Sequence, residues 1–458
     1  MIKKNNFLNI IFFLALFLEG LDAFSLFTIP LSWIGVVVFV SIYLYLKFVS
    51  KEGYIFDLIG IKYFLYYLVL VTLIRTITFD YDIPELATTN VYEYLALRLL
   101  KILSFYGVIS ITVWLTSKKG IEFVTQLIVY VGIAISLLSL YSYFSYVFDW
   151  SDFVRNRPGS GGWTQPIRRA CSVLRNYGTF REPSFLAVWI APIIPLIFKF
   201  ARKNSIWYLV SILPILSLVL TRSLTGVVSI LLVFGLVFVF KLVRLKSFDF
   251  HLVIPVLLIL LVSIFSNNLS YKFPALDPSM CPPESADKCN CSIYDDEQDK
   301  AKNSNNVFES IFNRVAIISS GGIGGFENID ILSQYIQSES LKIFGDGLGI
   351  SNLKFSPKYD ELTKQINEDK IIYKNPGQVV SFNNLYGNLY LSGGVIALVM
   401  FLLIISNMFI RIVRLKEFDQ YLMSGLLLIL LMFFFQAEEL SSMLAIYVGL
   451  IIAKSNNE

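Results

Sequence analysis

Runs of apolar residues long enough to cross a bilayer recur along most of this chain. They restrict its fold more than any other feature. A helix needs about 20 apolar residues to span the hydrocarbon core. Such runs centre near residues 7–27, 30–48, 59–79, 94–116, 121–148, 184–200, 205–221, 224–243, 250–266, 385–410, 420–436 and 438–453. Backbone groups in lipid must bond within their own segment, so the runs predict helices. Composition agrees: of 458 residues, 55% are hydrophobic and 16% charged, against roughly a quarter charged in soluble chains. The expected class is all-α, a polytopic membrane protein with about twelve transmembrane helices. The first run resembles a signal peptide, but no small-residue cleavage site follows it, and Glu19 and Asp22 interrupt it. It reads as a retained helix. The last two runs are short and close together, as in a tight hairpin.

Lysine and arginine in the short loops set the expected orientation. One alternate set of connections carries Lys3 and Lys4, Lys47 and Lys51, Lys118 and Lys119, Lys199 to Lys203, Lys241 to Lys246, Arg411 to Lys416, and Lys454. The other set includes the acidic stretch Asp80 to Glu85 and the segment Gln436 to Leu440. Both termini are therefore expected in the cytoplasm. The chain divides into spans 1–5 (1–148), an outer loop (149–183), spans 6–9 (184–266), a large outer loop (267–384) and spans 10–12 (385–458). Loops this long are uncommon unless functional or disordered. In the second, Val307, Ile311 and Val315, then Ile331, Tyr335 and Leu341, recur with helix-like spacing and predict a small helical cap. All four cysteines, Cys171, Cys281, Cys289 and Cys291, lie in these two loops. An even count outside the cytoplasm suggests disulfides, with free thiols the alternative. Cys289 and Cys291 are too close to pair comfortably with each other, so one of them is a candidate partner for Cys171. His251 is the only histidine, which leaves little for a zinc site. The run Asp295 to Glu297 reads as a solvated acidic loop, and no metal or cofactor is expected.

The first outer loop breaks the positive-inside pattern. It carries Arg155, Arg157, Arg168, Arg169, Arg175 and Arg181, and no lysine. Arginine offers a planar fork that binds phosphate or carboxylate oxygens in pairs and keeps its proton. The loop therefore points to an anionic ligand outside the membrane, or, more plainly, to anionic lipid headgroups. Arg75 and Arg98, and Glu19 and Asp22, lie near the outer ends of their spans. Buried charge in a membrane seeks a partner, so pairing between these two groups is expected, with an anion site the alternative. Arg222, at the outer turn Thr221-Arg222-Ser223, is placed to meet a lipid phosphate or to snorkel.

Four segments together resemble the O-antigen polymerase and ligase superfamily. They are Arg175 to Ser184 (RNYGTFREPS), the turn at Arg222, Phe344 to Gly349 (FGDGLG), and Phe382 to Tyr386 (FNNLY), which leads into a span with Gly393 and Gly394. The resemblance covers roughly residues 120–410. It implies a periplasmic enzyme acting on undecaprenyl-diphosphate-linked sugars, and a chain-length regulator as partner. Polymerases of this kind carry an Arg, ten residues and a Gly in their outer loops. Arg314 and Gly325 fit that spacing, whereas Gly178 has Ile167 at the matching position. Ligases carry a His before the residue matching Asn384, ten positions ahead of Gly394. Here Asn383 stands in its place, which favours a polymerase over a ligase.

The residue reading and the resemblance meet on the arginines. Fixed guanidinium groups can stabilise the charge that grows on a diphosphate leaving group. Arg181, Arg222 and Arg314 are the catalytic candidates. Arg175, Arg75, Arg98, Asn383, Asn384 and Asp346 are candidates for binding diphosphate or sugar. Glu182 is the candidate base for an acceptor hydroxyl, with a loop-ordering salt bridge its plainer role; Asp346 is the second choice. Competing functions are a ligase, a single-sugar glycosyltransferase using Asp22 as its acid, and a flippase for lipid-linked sugars. Membrane lipids are expected partners and nucleic acid is not.

Overall fold

The structure is a computed structural model, and it describes residues 4–51, 59–78, 90–157, 173–246, 248–271, 327–366, 379–436 and 439–457. Among the described residues the chain is mostly helical, with almost no strand. The described helices are α1 (Lys4–Glu19), α2 (Leu31–Leu44), α3 (Ile59–Ile77), α4 (Val91–Lys119), α5 (Ile121–Val147), α6 (Pro183–Ile190), α7 (Ile193–Ala201), α8 (Ile206–Leu220), α9 (Leu224–Leu245), α10 (Val253–Ser266), α11 (Glu327–Ser338), α12 (Ile350–Ile366), α13 (Leu385–Arg414), α14 (Gln420–Met432) and α15 (Ser442–Asn457).

Among the described residues, eight segments are long and apolar enough to cross a membrane, while Phe7–Glu19, Ile206–Leu220, Gln420–Met432 and Ser442–Asn456 are shorter apolar helices. The chain is thus a multi-pass membrane protein by length and composition. Its surface agrees. Leu232, Leu236, Val239 and Val243 recur at helical spacing along α9 and are 47–72% exposed. An apolar stripe of this kind belongs against lipid rather than water.

Helix ends follow local chemistry. Asn90 caps α4 by accepting from the Glu93 amide at 2.8 Å. Gly120, at φ +88, ends that helix and separates it from α5. The apolar run expected at 184–200 is two helices, α6 and α7, meeting at Ala191 and Pro192. The first run ends at Glu19 rather than near Phe27. Asp419 caps α14, taking the Leu422 amide at 3.1 Å, and its other oxygen holds Lys454 at 2.9 Å.

Contacts divide the chain into two compact units. The first comprises Met1–Glu19, Ile29–Ile128 and Asn328–Glu458; the second comprises Gly20–Thr28 and Val129–Glu327. Each draws on several of the sequential segments.

In the first unit α4 packs against α2 and α15, and α3 packs against α13. Helix α13 is broken at Gly394, whose φ of +72 and ψ of −172 are non-helical. A break in an apolar helix frees backbone groups that must find new partners. Residues 342–348 supply several of them. The Lys342 carbonyl accepts from the Val395 amide at 2.9 Å, and the amides of Asp346 and Gly347 donate to Leu391 and Ser392 at 2.9 and 2.8 Å. The Tyr67 hydroxyl donates to the Gly393 carbonyl at 2.7 Å. The Leu348 amide donates to Thr72 Oγ1 at 3.0 Å. Thus the FGDGLG and Gly393-Gly394 motifs are one device: a strap laid through a helix break. Above it, Ile331, Leu332 and Tyr335 of α11 and Phe355 of α12 cluster with Phe382 and Leu391. Ile331 and Tyr335 are buried as their spacing implied, but Leu341 is 74% exposed, because the chain has already left the helix there.

In the second unit, the predicted outer ends of α5, α8, α9 and α10 meet the end of the arginine loop. The Leu174 amide donates to the Tyr271 carbonyl and the Asn176 amide to the Leu220 carbonyl, both at 2.8 Å. The Tyr143 hydroxyl donates to the Leu269 carbonyl at 3.1 Å.

Candidate functional site

The arginine loop of the second unit is extended from Val173 to Tyr177, and successive side chains on an extended chain point to opposite sides. Leu174 and Asn176 face inward and are buried. The Asn176 side-chain amide donates to both the Ser217 carbonyl and its Oγ at 3.1 Å. Arg175 and Tyr177 share the other side. At Gly178 the chain turns with φ +53, and a Cβ there would lie 2.1 Å from Ser139 Oγ. Only glycine fits a left-handed turn this close to a neighbouring helix. Thr179 then ties the loop to Gly20–Thr28: its carbonyl accepts from the Ala23 amide at 2.9 Å and its hydroxyl donates to the Gly20 carbonyl at 2.5 Å.

The arginines have distinct duties. Arg155 is a buried clamp, donating to the Gly178 carbonyl at 2.8 Å and pairing with Asp152 at 2.8 Å. Arg157 pairs with Asp22. Arg181 also holds Asp22, through Nε at 2.8 Å, and its guanidinium lies 5.4 Å from the centre of the Phe185 ring. Among the described residues the two terminal nitrogens of Arg181 take no hydrogen-bond partner. Arg175 is similar: its Nε donates to the Thr221 carbonyl at 3.0 Å and anchors the fork.

Arg222 is buried, in the turn between α8 and α9, and holds a left-handed φ of +52. It donates to Ser270 Oγ. Ser223, next in sequence, caps α9, so the positive end of a 22-residue helix adds to the field at this point. Burial pushes the Arg222 guanidinium below the usual arginine range, and the nearby charge of Arg175 pushes it further down, while Tyr143 opposes. Burial also lowers Arg175, opposed by Tyr177 and Glu182. Both guanidinium groups are thus short of water, and the charge of Arg175 acts on Arg222.

Glu182 stands at the N-cap of α6 on extended backbone, with Pro183 opening the helix and no capping bond from its side chain. Its carboxylate accepts from Ser184 Oγ at 3.2 Å, and its backbone carbonyl accepts from the Leu186 amide at 3.3 Å. The loop-ordering salt bridge expected of it belongs instead to Asp22. Asp22 reaches the arginines because Gly20–Thr28 folds onto the loop.

The remaining described candidates lie in the first unit and are mostly committed to structure. Arg98 and Lys101 both pair with Glu439, and Ser442 donates to Glu19 at 2.7 Å. Arg75 donates from Nε to the Gly345 carbonyl at 3.0 Å. Arg75 and Arg98 thus have partners distant in sequence. Asn384 caps α13, accepting from the Gly387 amide at 2.7 Å, and gives its amide to the Phe434 carbonyl at 2.7 Å. Asn383 holds a left-handed φ of +51 and accepts from Ser381. Both read as helix-start geometry rather than ligand groups. Arg314, Arg168, Arg169 and the four cysteines lie outside the described residues.

Asp346 is unsuited to act as a base. Burial opposes its charge, but hydrogen bonds from Lys342 and Lys354 outweigh that and hold its carboxyl below the usual aspartate range. A depressed carboxylate contributes stability above its unfolded value near 3.9 and loses it as pH falls through the folded value. Asp346→Asn is expected to lower the melting temperature at pH 7 and to narrow the gap from wild type as pH falls below about 4. Melting curves of the purified protein between pH 3 and 7 check this; an unchanged gap would refute the assignment.

Sequence reasoning missed Tyr143, Tyr177 and Ser270 around the arginine pair. Tyr177 was within reach, since it alternates with Arg175 inside a segment already singled out. Tyr143 and Ser270 look like any interfacial tyrosine and loop serine. Scans against known protein families, curated proteins and solved structures find no match to this chain. Fold and site together define a multi-pass helical membrane protein with two interacting buried arginines, Arg175 and Arg222, in the same unit as a carboxylate, Glu182, that carries no ion pair among the described residues.

Proposed function

We propose that this protein polymerises undecaprenyl-diphosphate-linked oligosaccharide units on the periplasmic face of a bacterial inner membrane. All twelve apolar helices would cross the membrane, leaving both termini in the cytoplasm. The observation that carries the reading is the Arg175–Arg222 pair, which is suited to a diphosphate rather than to a neutral sugar. In the reaction, an acceptor hydroxyl on one lipid-linked unit attacks the anomeric carbon of the growing chain. The bond from that carbon to the carrier phosphate breaks, and its electron pair leaves with the diphosphate. Arg175 and Arg222 stabilise that charge. The hydroxyl proton passes to Glu182. Arg181, next to Glu182 in sequence and held by Asp22, has two terminal nitrogens without a hydrogen-bond partner among the described residues. A chain-length regulator is a partner that follows from this reading.

Two alternatives lose ground on particular contacts. A single-sugar transferase would need Asp22 as its acid, and that carboxylate is bound by two arginines. A flippase could use a broken helix such as α13 as its substrate site, but the strap already bonds to the break at Leu391, Ser392 and Val395.

The test is surface polysaccharide from a strain lacking the chain, complemented with wild type, Arg175→Gln or Glu182→Gln. Wild type is expected to restore a ladder of long chains, and both variants to leave single-repeat chains. Long chains at wild-type levels from both variants would refute the mechanism. Lipid-linked units accumulating on the cytoplasmic side of the deletion strain would point to a flippase.

A further inference from the structure

We propose that Tyr177 is a third ligand of the Arg175–Arg222 anion seat, its hydroxyl donating to a phosphate oxygen. This deepens the diphosphate reading and rests on it. Side-chain burial sets the direction: Leu174 and Asn176 are buried, and the Asn176 side-chain amide donates to Ser217, which fixes the inward face of the segment. Residues 175 and 177 therefore share the opposite face. Gly178 turns the chain immediately afterwards, so Tyr177 is the last residue on that face and its ring is only partly buried.

Its hydroxyl makes no hydrogen bond among the described residues. The neighbouring tyrosine of the site behaves differently, since Tyr143 donates to Leu269 and accepts from the Tyr271 amide at 3.4 Å. Tyr143 thus holds the turn after α10, and Tyr177 remains available. The Tyr177 phenol also lies close enough to the Arg175 guanidinium for the two to interact electrostatically. A neutral O–H donor beside the Arg175 guanidinium suits a phosphoryl group, which has more oxygens than two forks alone satisfy.

The experiment uses the full chain purified in detergent, with inorganic pyrophosphate as the probe at fixed ionic strength. Titration calorimetry gives affinity, and thermal melting without ligand reports structure. Tyr177→Phe is expected to weaken pyrophosphate binding about tenfold, the scale of one hydrogen bond to a charged group, and to leave ligand-free melting unchanged. Wild-type affinity in Tyr177→Phe overturns the inference while leaving the arginine seat intact, provided Arg175→Gln still loses binding. A fall in ligand-free melting also overturns it, because the hydroxyl would then be a structural group. No pyrophosphate binding by wild type removes the diphosphate reading itself, and the inference with it.

Discussion

Replacing Arg222 with asparagine is expected to lower glycan transfer by about 10²–10³-fold, the usual loss when one preorganised charge-stabilising donor is removed. The same change is expected to leave the melting temperature of the ligand-free protein unchanged or raised. Both halves come from one geometry. Left-handed backbone costs an ordinary residue roughly 1–2 kcal/mol, and asparagine adopts it more readily than most. The substitution also removes a buried charge next to Arg175. Against these gains stands the hydrogen bond to Ser270, worth on the order of 1 kcal/mol. Arg222→Ala keeps the backbone strain and is expected to melt below Arg222→Asn. Transfer assayed with lipid-linked substrate, together with melting of both variants, checks the pair. Wild-type transfer in Arg222→Asn would show that the guanidinium serves only the turn.

Gly394→Ala is expected to prevent accumulation of folded protein. Its φ of +72 and ψ of −172 lie in a region that essentially only glycine occupies, where another residue costs about 1–3 kcal/mol. A Cβ at this position would lie 2.1 Å from the Ile343 carbonyl oxygen and 2.5 Å from its carbon. The obstruction is backbone rather than a flexible side-chain end, so relief requires the strap to leave the break. That would unpair the Val395 amide and the Lys342 carbonyl together in an apolar setting, where each unsatisfied group costs several kcal/mol. The measurement is the yield of monodisperse protein after detergent extraction. A normal yield with an unshifted melting curve would mean that the strap is not required at the break.

The helices were legible in the sequence because their cause is local. Apolar runs at 7–27 through 438–453 had to hydrogen-bond within themselves, and each contains described helix. The ends were less legible. The first run stops at Glu19 because Gly20 and the residues after it are bonded by Thr179, more than 150 positions away. The all-arginine loop pointed to an anion, and Arg175, Arg181, Glu182 and Arg222 do lie together in one unit. Asn384 and Asp346 matched motifs for a different reason: one caps a helix and the other anchors a strap between two lysines.

By itself, then, the sequence determined a helical, multi-pass membrane protein with a lysine-free, arginine-rich loop between two of its apolar runs. Periodicity and residue chemistry act over a few positions and need no partner. Only the tertiary structure decided which arginine does what. Arg155 clamps Gly178, Arg157 and Arg181 share Asp22, and Arg175 and Arg222 are left side by side. Those assignments depend on where turns bring distant carbonyls and carboxylates, and the identical guanidinium groups carry no mark of it in the chain.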